Sequence, residues 1–98
     1  MAQCRIYEVE GATLAQYDEV DGKFPDHPKG CRIHAAGVTD GKLVVVEIWD
    51  TAQAADDYMT SGIGSAIEAA GITVDRTKAT MFEVHKMTEP AGPTDRSG

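Results

Sequence analysis

Positive charge is what this chain lacks most. Nine lysines and arginines stand against sixteen aspartates and glutamates, a formal net charge of −7 over 98 residues. Such a surface repels a phosphate backbone, and no basic cluster offsets it, so no nucleic-acid partner is expected. No apolar run approaches the roughly 18 residues a membrane helix needs, so no membrane partner is expected. The first residues, MAQCRIYEVE, carry charges and no apolar h-region. They do not read as a secretory signal, and a cytoplasmic location follows as the expectation. Cysteine is scarce too. Cys4 and Cys31 lack metal-ligand spacing and, in a cytosolic setting, read as buried thiols rather than a disulfide. No three histidines or acids sit at metal spacing, and no metal or cofactor is expected. A Ser nucleophile elbow is absent. Gly62-Ile63-Gly64 follows no strand and opens no helix, so it is not a phosphate loop.

The residues that are present alternate between strand and helix patterns. QCRIYEV, residues 3–9, is β-branched and aromatic and reads as a strand ended by Gly11. Thr13 and Gln16 form a capping box for a helix to about Asp21, and KFPDHPKG is a loop. Residues 30–38 and 42–49 read as strands, with Asp40-Gly41 between them as a strong signal for a two-residue hairpin. Asp50 or Thr51 caps a long helix whose apolar stripe runs from Ala54 to Ala70, interrupted by Gly62 and Gly64 and closed by Gly71. Residues 79–87 make a fourth strand. The order β-α-β-β-α-β predicts an α+β, ferredoxin-like fold, a four-stranded antiparallel sheet with two helices on one face. A single domain spans residues 1–87, and 88–98, rich in Pro, Gly and polar residues, reads as a disordered tail. The strand LVVVEIW is apolar on both sides, so the face away from the helices needs a cover. A second copy of the chain is the expected one, giving a homodimer.

Counting outward from Asp40-Gly41 sets His34 opposite Glu47 and Arg32 opposite Trp49. One face would then carry Arg32, His34, Glu47 and Trp49 together, and the other Ile33, Ala35, Val44, Val46 and Ile48. A carboxylate beside an imidazole orients it and favours its charged form, which suits a general base or acid. Trp49 offers a flat apolar wall with one N–H donor. The structural alternative is a cross-strand ion pair worth under about 1 kcal/mol, with Trp49 as core. Tyr17 and Tyr58 lie on the helical stripes and could lower their hydroxyls into a cleft. His85 shares a face of the last strand with Glu83 and is a weaker candidate. His27, between prolines, reads as surface.

VVVEIWDTAQAADDYM resembles the segment of the dimeric α/β-barrel superfamily in which a Trp-acid-Ser/Thr-x-x-Ala pattern closes the third strand and opens the second helix. The resemblance extends to YEVEGATLAQYDEV and FEVHKM, and so to most of residues 3–87. It is closest to small members related to the antibiotic biosynthesis monooxygenases, the heme-degrading monooxygenases and the stress-responsive barrel proteins. It implies a homodimer whose sheets form a barrel, with a cleft in each subunit that the tryptophan at the position of Trp49 faces. Heme-degrading members supply an axial His from the second helix. Residues 51–70 contain no His, so heme binding would need another ligand, such as His34 or His85.

The expected function is a cofactor-independent, monooxygenase-like enzyme acting on a small aromatic or polyketide-like substrate. Trp49, Tyr17, Tyr58 and His85 would bind the substrate. His34, set by Glu47, would move a proton, and Arg32 would stabilise a developing oxyanion. A cyclase or isomerase of the same substrate class, or a non-catalytic ligand-binding or stress-response dimer, are the alternatives.

Overall fold

A computed structural model of the chain describes residues 1–88. The disordered tail expected over 88–98 falls, Thr88 aside, outside the described residues. The elements in order are β1 (Gln3–Glu10), α1 (Leu14–Asp21), β2 (Cys31–Thr39), β3 (Lys42–Trp49), α2 (Ala52–Tyr58), α3 (Gly64–Ala69) and β4 (Thr80–Glu83). The strands form one antiparallel sheet in the order β2-β3-β1-β4, the ferredoxin-like arrangement.

Local chemistry explains the joints. Thr13 accepts from the Gln16 N–H at 3.1 Å, and the Gln16 side chain accepts from the Thr13 N–H at 2.9 Å, so the capping box starts α1. Asp40 (φ +51°) and Gly41 (φ +73°) supply the two positive φ angles of a type I′ hairpin turn. The expected 51–70 helix is divided. Thr51 caps α2, but a wide π turn, Met59–Ile63, separates it from α3, because Gly62 leaves helical geometry at φ +108°. β4 is shorter than the 79–87 expected, and His85 lies beyond its end.

The face of the sheet toward the helices builds the core, from Val9 and Leu43 against Val20, Ile63, Ala66 and Ile72. Trp49, 1% exposed, packs with Cys31 and Ala55. Arg5, 3% exposed, ties β1 to α2 through Asp56 at 3.0 Å. On the opposite face Val44, Val46 and Ile48 are half-buried, while Ile33 and Phe82 are 41% and 49% exposed. Cys4 and Cys31 are free thiols on strands separated by β3. Among the described residues no helix is long and apolar enough to cross a membrane.

Candidate functional site

The hairpin fixes which side chains share the helix-facing surface. His34 lies opposite Glu47 and Ala36 opposite Val45, and β1 continues both rows with Arg5 opposite Glu47 and Tyr7 opposite Val45. The surface toward the helices therefore carries a polar row, His34–Glu47–Arg5, next to Ala36–Val45–Tyr7, with Trp49 beyond.

Glu47 is 7% exposed and sits between two donors. The Trp49 indole N–H donates to Oε1 at 3.0 Å, and His34 Nε2 lies 3.5 Å from Oε2. With Nε2–H facing the carboxylate, Nδ1 is left to accept from the Tyr17 hydroxyl, 3.3 Å away. The Tyr17 and His34 rings stack at 25° with centroids 6.0 Å apart. Tyr58 lies 5.4 Å from the Trp49 ring. The His34 side chain remains 32% accessible, so the chain Glu47–His34–Tyr17 runs from buried carboxylate to open edge. Burial, then the charges of Asp21 and Glu47, raise the Tyr17 pKa; burial, then Glu47, raise that of Tyr58. Both phenols thereby keep their protons to higher pH, and that of Tyr17 faces His34 Nδ1.

Two hollows meet at this group. One, of about 100 Å³, lies between sheet and helices and is walled by Tyr7, Val9, Val45, Met59, Ile63 and Ile67, with Tyr17, His34, Glu47 and Tyr58 at its polar side. The other, of about 170 Å³, lies under the loop of Phe24, Pro25, Asp26, His27 and Pro28 and reaches Cys31 and Trp49. Asp21, His34, Glu47 and Tyr58 line both. An apolar body can lodge against the helices while its polar edge meets His34 and Tyr17.

The structure thus brings together His34, Glu47, Tyr17, Tyr58 and, through its bond to Glu47, Trp49. Two predicted residues are elsewhere. Arg32 is not opposite Trp49. A β-bulge between Cys31 and Ile33 puts Cys31 in that place and leaves Arg32 as the extra residue, ion-paired to Asp50 at 2.5 Å on the outside. An oxyanion role in this cleft has no geometric support. His85 follows the end of β4 and, with Arg32, Asp50 and Lys86, borders a separate open hollow. It too is absent from the cleft. Sequence reasoning missed Tyr7, Arg5 and Asp21. The register count, continued from β3 onto β1, was the available signal for the first two.

No family model and no curated protein matches the chain. Solved structures do. Rv0793 from Mycobacterium tuberculosis superposes with a TM-score of 0.70 at 16% identity, covering 91% of this chain and all of that one. A Deinococcus radiodurans protein assigned provisionally to the antibiotic biosynthesis monooxygenases gives 0.64 at 16% identity, over 94% of this chain and all of its own. The chain shares their fold. SnoaB, a cofactor-independent oxygenase from Streptomyces nogalater, gives 0.57 at 15% identity, over 88% of this chain and 93% of that one. The α+β, ferredoxin-like architecture is therefore that of the antibiotic biosynthesis monooxygenase-like proteins. At these identities the likeness extends to fold alone.

Proposed function

We propose that the protein is a cofactor-independent, monooxygenase-like enzyme that removes a proton from a small aromatic or polyketide-like substrate held between sheet and helices. One observation carries this reading: the His34 ring bridges a buried carboxylate and a phenol at the mouth of an apolar cavity. Glu47 holds the tautomer that turns the Nδ1 lone pair outward and stabilises the imidazolium that forms. Tyr17 occupies that lone pair, so the proton moves either through Tyr17, which accepts from substrate as it donates to Nδ1, or directly once substrate displaces the phenol. Tyr58 forms the aromatic wall, backed by the buried indole of Trp49 5.4 Å behind it.

The deprotonated substrate can pass an electron to dioxygen. Recombination gives a peroxide, and loss of water leaves a ketone where a CH₂ group stood, dioxygen being the oxidant. The likeness in fold to SnoaB favours this outcome. Ring closure or double-bond migration would use the same first step. The enzyme works as a homodimer with the two apolar sheet faces together and one complete proton relay in each subunit.

The test is oxygen uptake, with product masses, over a panel of fused-ring phenols and 1,3-dicarbonyl compounds. His34→Ala and Tyr17→Phe should lower kcat/KM on any turned-over compound by about 10²-fold or more. Unchanged turnover by His34→Ala would end the proposal. Binding without turnover across the panel would point to the non-catalytic ligand-binding dimer.

A further inference from the structure

The hollow under the Phe24–Pro28 loop has a lining unlike that of the apolar cavity beside it. Three carboxylates border it, Asp21, Asp26 and Glu47, and so do three aromatic rings, Phe24, Trp49 and Tyr58. Among the described residues no lysine or arginine does. Lys23 and Lys29 flank the loop, yet neither belongs to the lining. The two histidines there are engaged. His34 sits between Glu47 and Tyr17, and His27 Nε2 meets the Cys31 carbonyl oxygen. Asp21 and Asp26 are different: among the described residues no cation pairs with either carboxylate. Uncompensated charges of one sign at a hollow with apolar walls focus their field into it. Tyr58 registers that field, since burial and then the charges of Glu47 and Asp21 raise its pKa.

Such a field favours a cation, and the rings decide which kind. A bare metal ion needs a coordinating set, and among the described residues no three His, Cys, Asp or Glu side chains form one. Aromatic walls suit a diffuse charge with no N–H to satisfy, which is an N-methylated ammonium. The volume agrees. A cavity of about 150 Å³ takes a benzene. This hollow, of about 170 Å³, has room for a trimethylammonium head of similar bulk.

We infer that the hollow under the Phe24–Pro28 loop is a binding site for the methylated ammonium head of a small organic cation. Phe24, Trp49 and Tyr58 supply the aromatic surface, and Asp21 and Asp26 supply the opposite charge. The site is independent of the proton transfer proposed above. A protein with an idle relay would still bind the cation, and a working relay does not require it.

Two probes of one shape isolate the charge. Choline and 3,3-dimethylbutanol differ only in having nitrogen or carbon at the quaternary centre. Trp49 is the single tryptophan, so its indole N–H gives one NMR resonance that reports from the hollow. In a titration followed by NMR, wild-type protein should bind choline saturably, with shifts at that resonance and at the amides of Phe24, Asp26 and His27. The alcohol should bind about tenfold more weakly or worse. The double variant Asp21→Asn, Asp26→Asn changes two exposed positions and should fold as wild type while losing about tenfold in choline affinity. Tyr58→Phe keeps the ring and should stay within about threefold of wild type, whereas Tyr58→Leu should fall about tenfold. Equal affinity for the two probes, no saturable binding of choline, shifts confined to residues away from the hollow, or an Asn double variant that binds choline as well as wild type would each overturn the inference.

Discussion

A carboxylate with 7% exposure must fill its lone pairs, and Glu47 fills them with an indole N–H and an imidazole. Glu47→Ala leaves the Trp49 N–H, in a residue 1% exposed, without an acceptor. Urea denaturation followed by the single tryptophan should show a loss of about 1–3 kcal/mol. Glu47→Gln keeps an acceptor oxygen for the indole and should lose less, while still impairing turnover, since a neutral amide cannot balance an imidazolium. Equal stability losses for the two variants would mean that the indole bond contributes nothing. Cys31 offers a second test. Burial, followed by the charge of Glu47, pushes its pKa up to about 11. A raised folded-state pKa means that the native thiol keeps its proton where the unfolded one has lost it. Stability is therefore full below about pH 9 and falls as pH rises toward 11. Melting temperatures measured from pH 8 to 10.5 should decline, and Cys31→Ala should flatten part of that decline. The His34–Glu47 pair was legible because a two-residue turn dictates its register. The Tyr17 hydroxyl on Nδ1 was not, because no pattern in the sequence says how deep a helix sits over a sheet.

At the scale of elements, Gly30 stands just before the bulge that leaves Arg32 outside the cleft. Gly30 has φ +82°, and a Cβ there would stand 2.9 Å from the Ala54 Cβ of α2. Its carbonyl accepts from the Asp50 N–H at 2.7 Å, just before the bulge. Gly30→Ala meets both a left-handed backbone and a packed methyl, and should cost about 1–3 kcal/mol. Gly62→Ala meets only the backbone problem, since nothing lies within 4 Å of a Cβ at φ +108°. It should cost less than Gly30→Ala, with the comparison made by chemical denaturation; the opposite order would show that the contact with Ala54 relaxes freely. Periodicity and capping located every strand and the first helix, because Thr13-Gln16, Asp40-Gly41 and the alternation in β1 each have a local cause. The bulge has none that periodicity registers, because it keeps strand composition on either side. The break at Gly62 was signalled by the glycines themselves, while the apolar stripe runs on through it intact.

For the molecule as a whole, the open question is the second sheet face. Val46 sits at its centre, between Ile6 on β1 and Ala35 on β2, and Ile33 and Phe82 stand out toward its margins. Glu8 and Lys42, 3.6 Å apart, place charge at one end of the same strands. An apolar centre with a charged edge is the pattern of an interface that closes on itself by a two-fold axis. The relay Glu47–His34–Tyr17 and the cavity belong to the other face and come from one chain. The proposed dimer face and the proposed ligand site therefore lie on different surfaces of the sheet. Light scattering should give twice the mass of the 98-residue chain at micromolar concentration. Val46→Asp places a carboxylate in the middle of the proposed interface, at a position half-buried in the single chain, and should halve that mass while the circular dichroism spectrum is retained. Its affinity for a cavity ligand should stay within about threefold of wild type, because no group on the binding face has changed. A wild-type monomer would leave the apolar face unexplained. A monomeric Val46→Asp that no longer binds would show instead that the partner subunit holds the cavity in shape through the sheet.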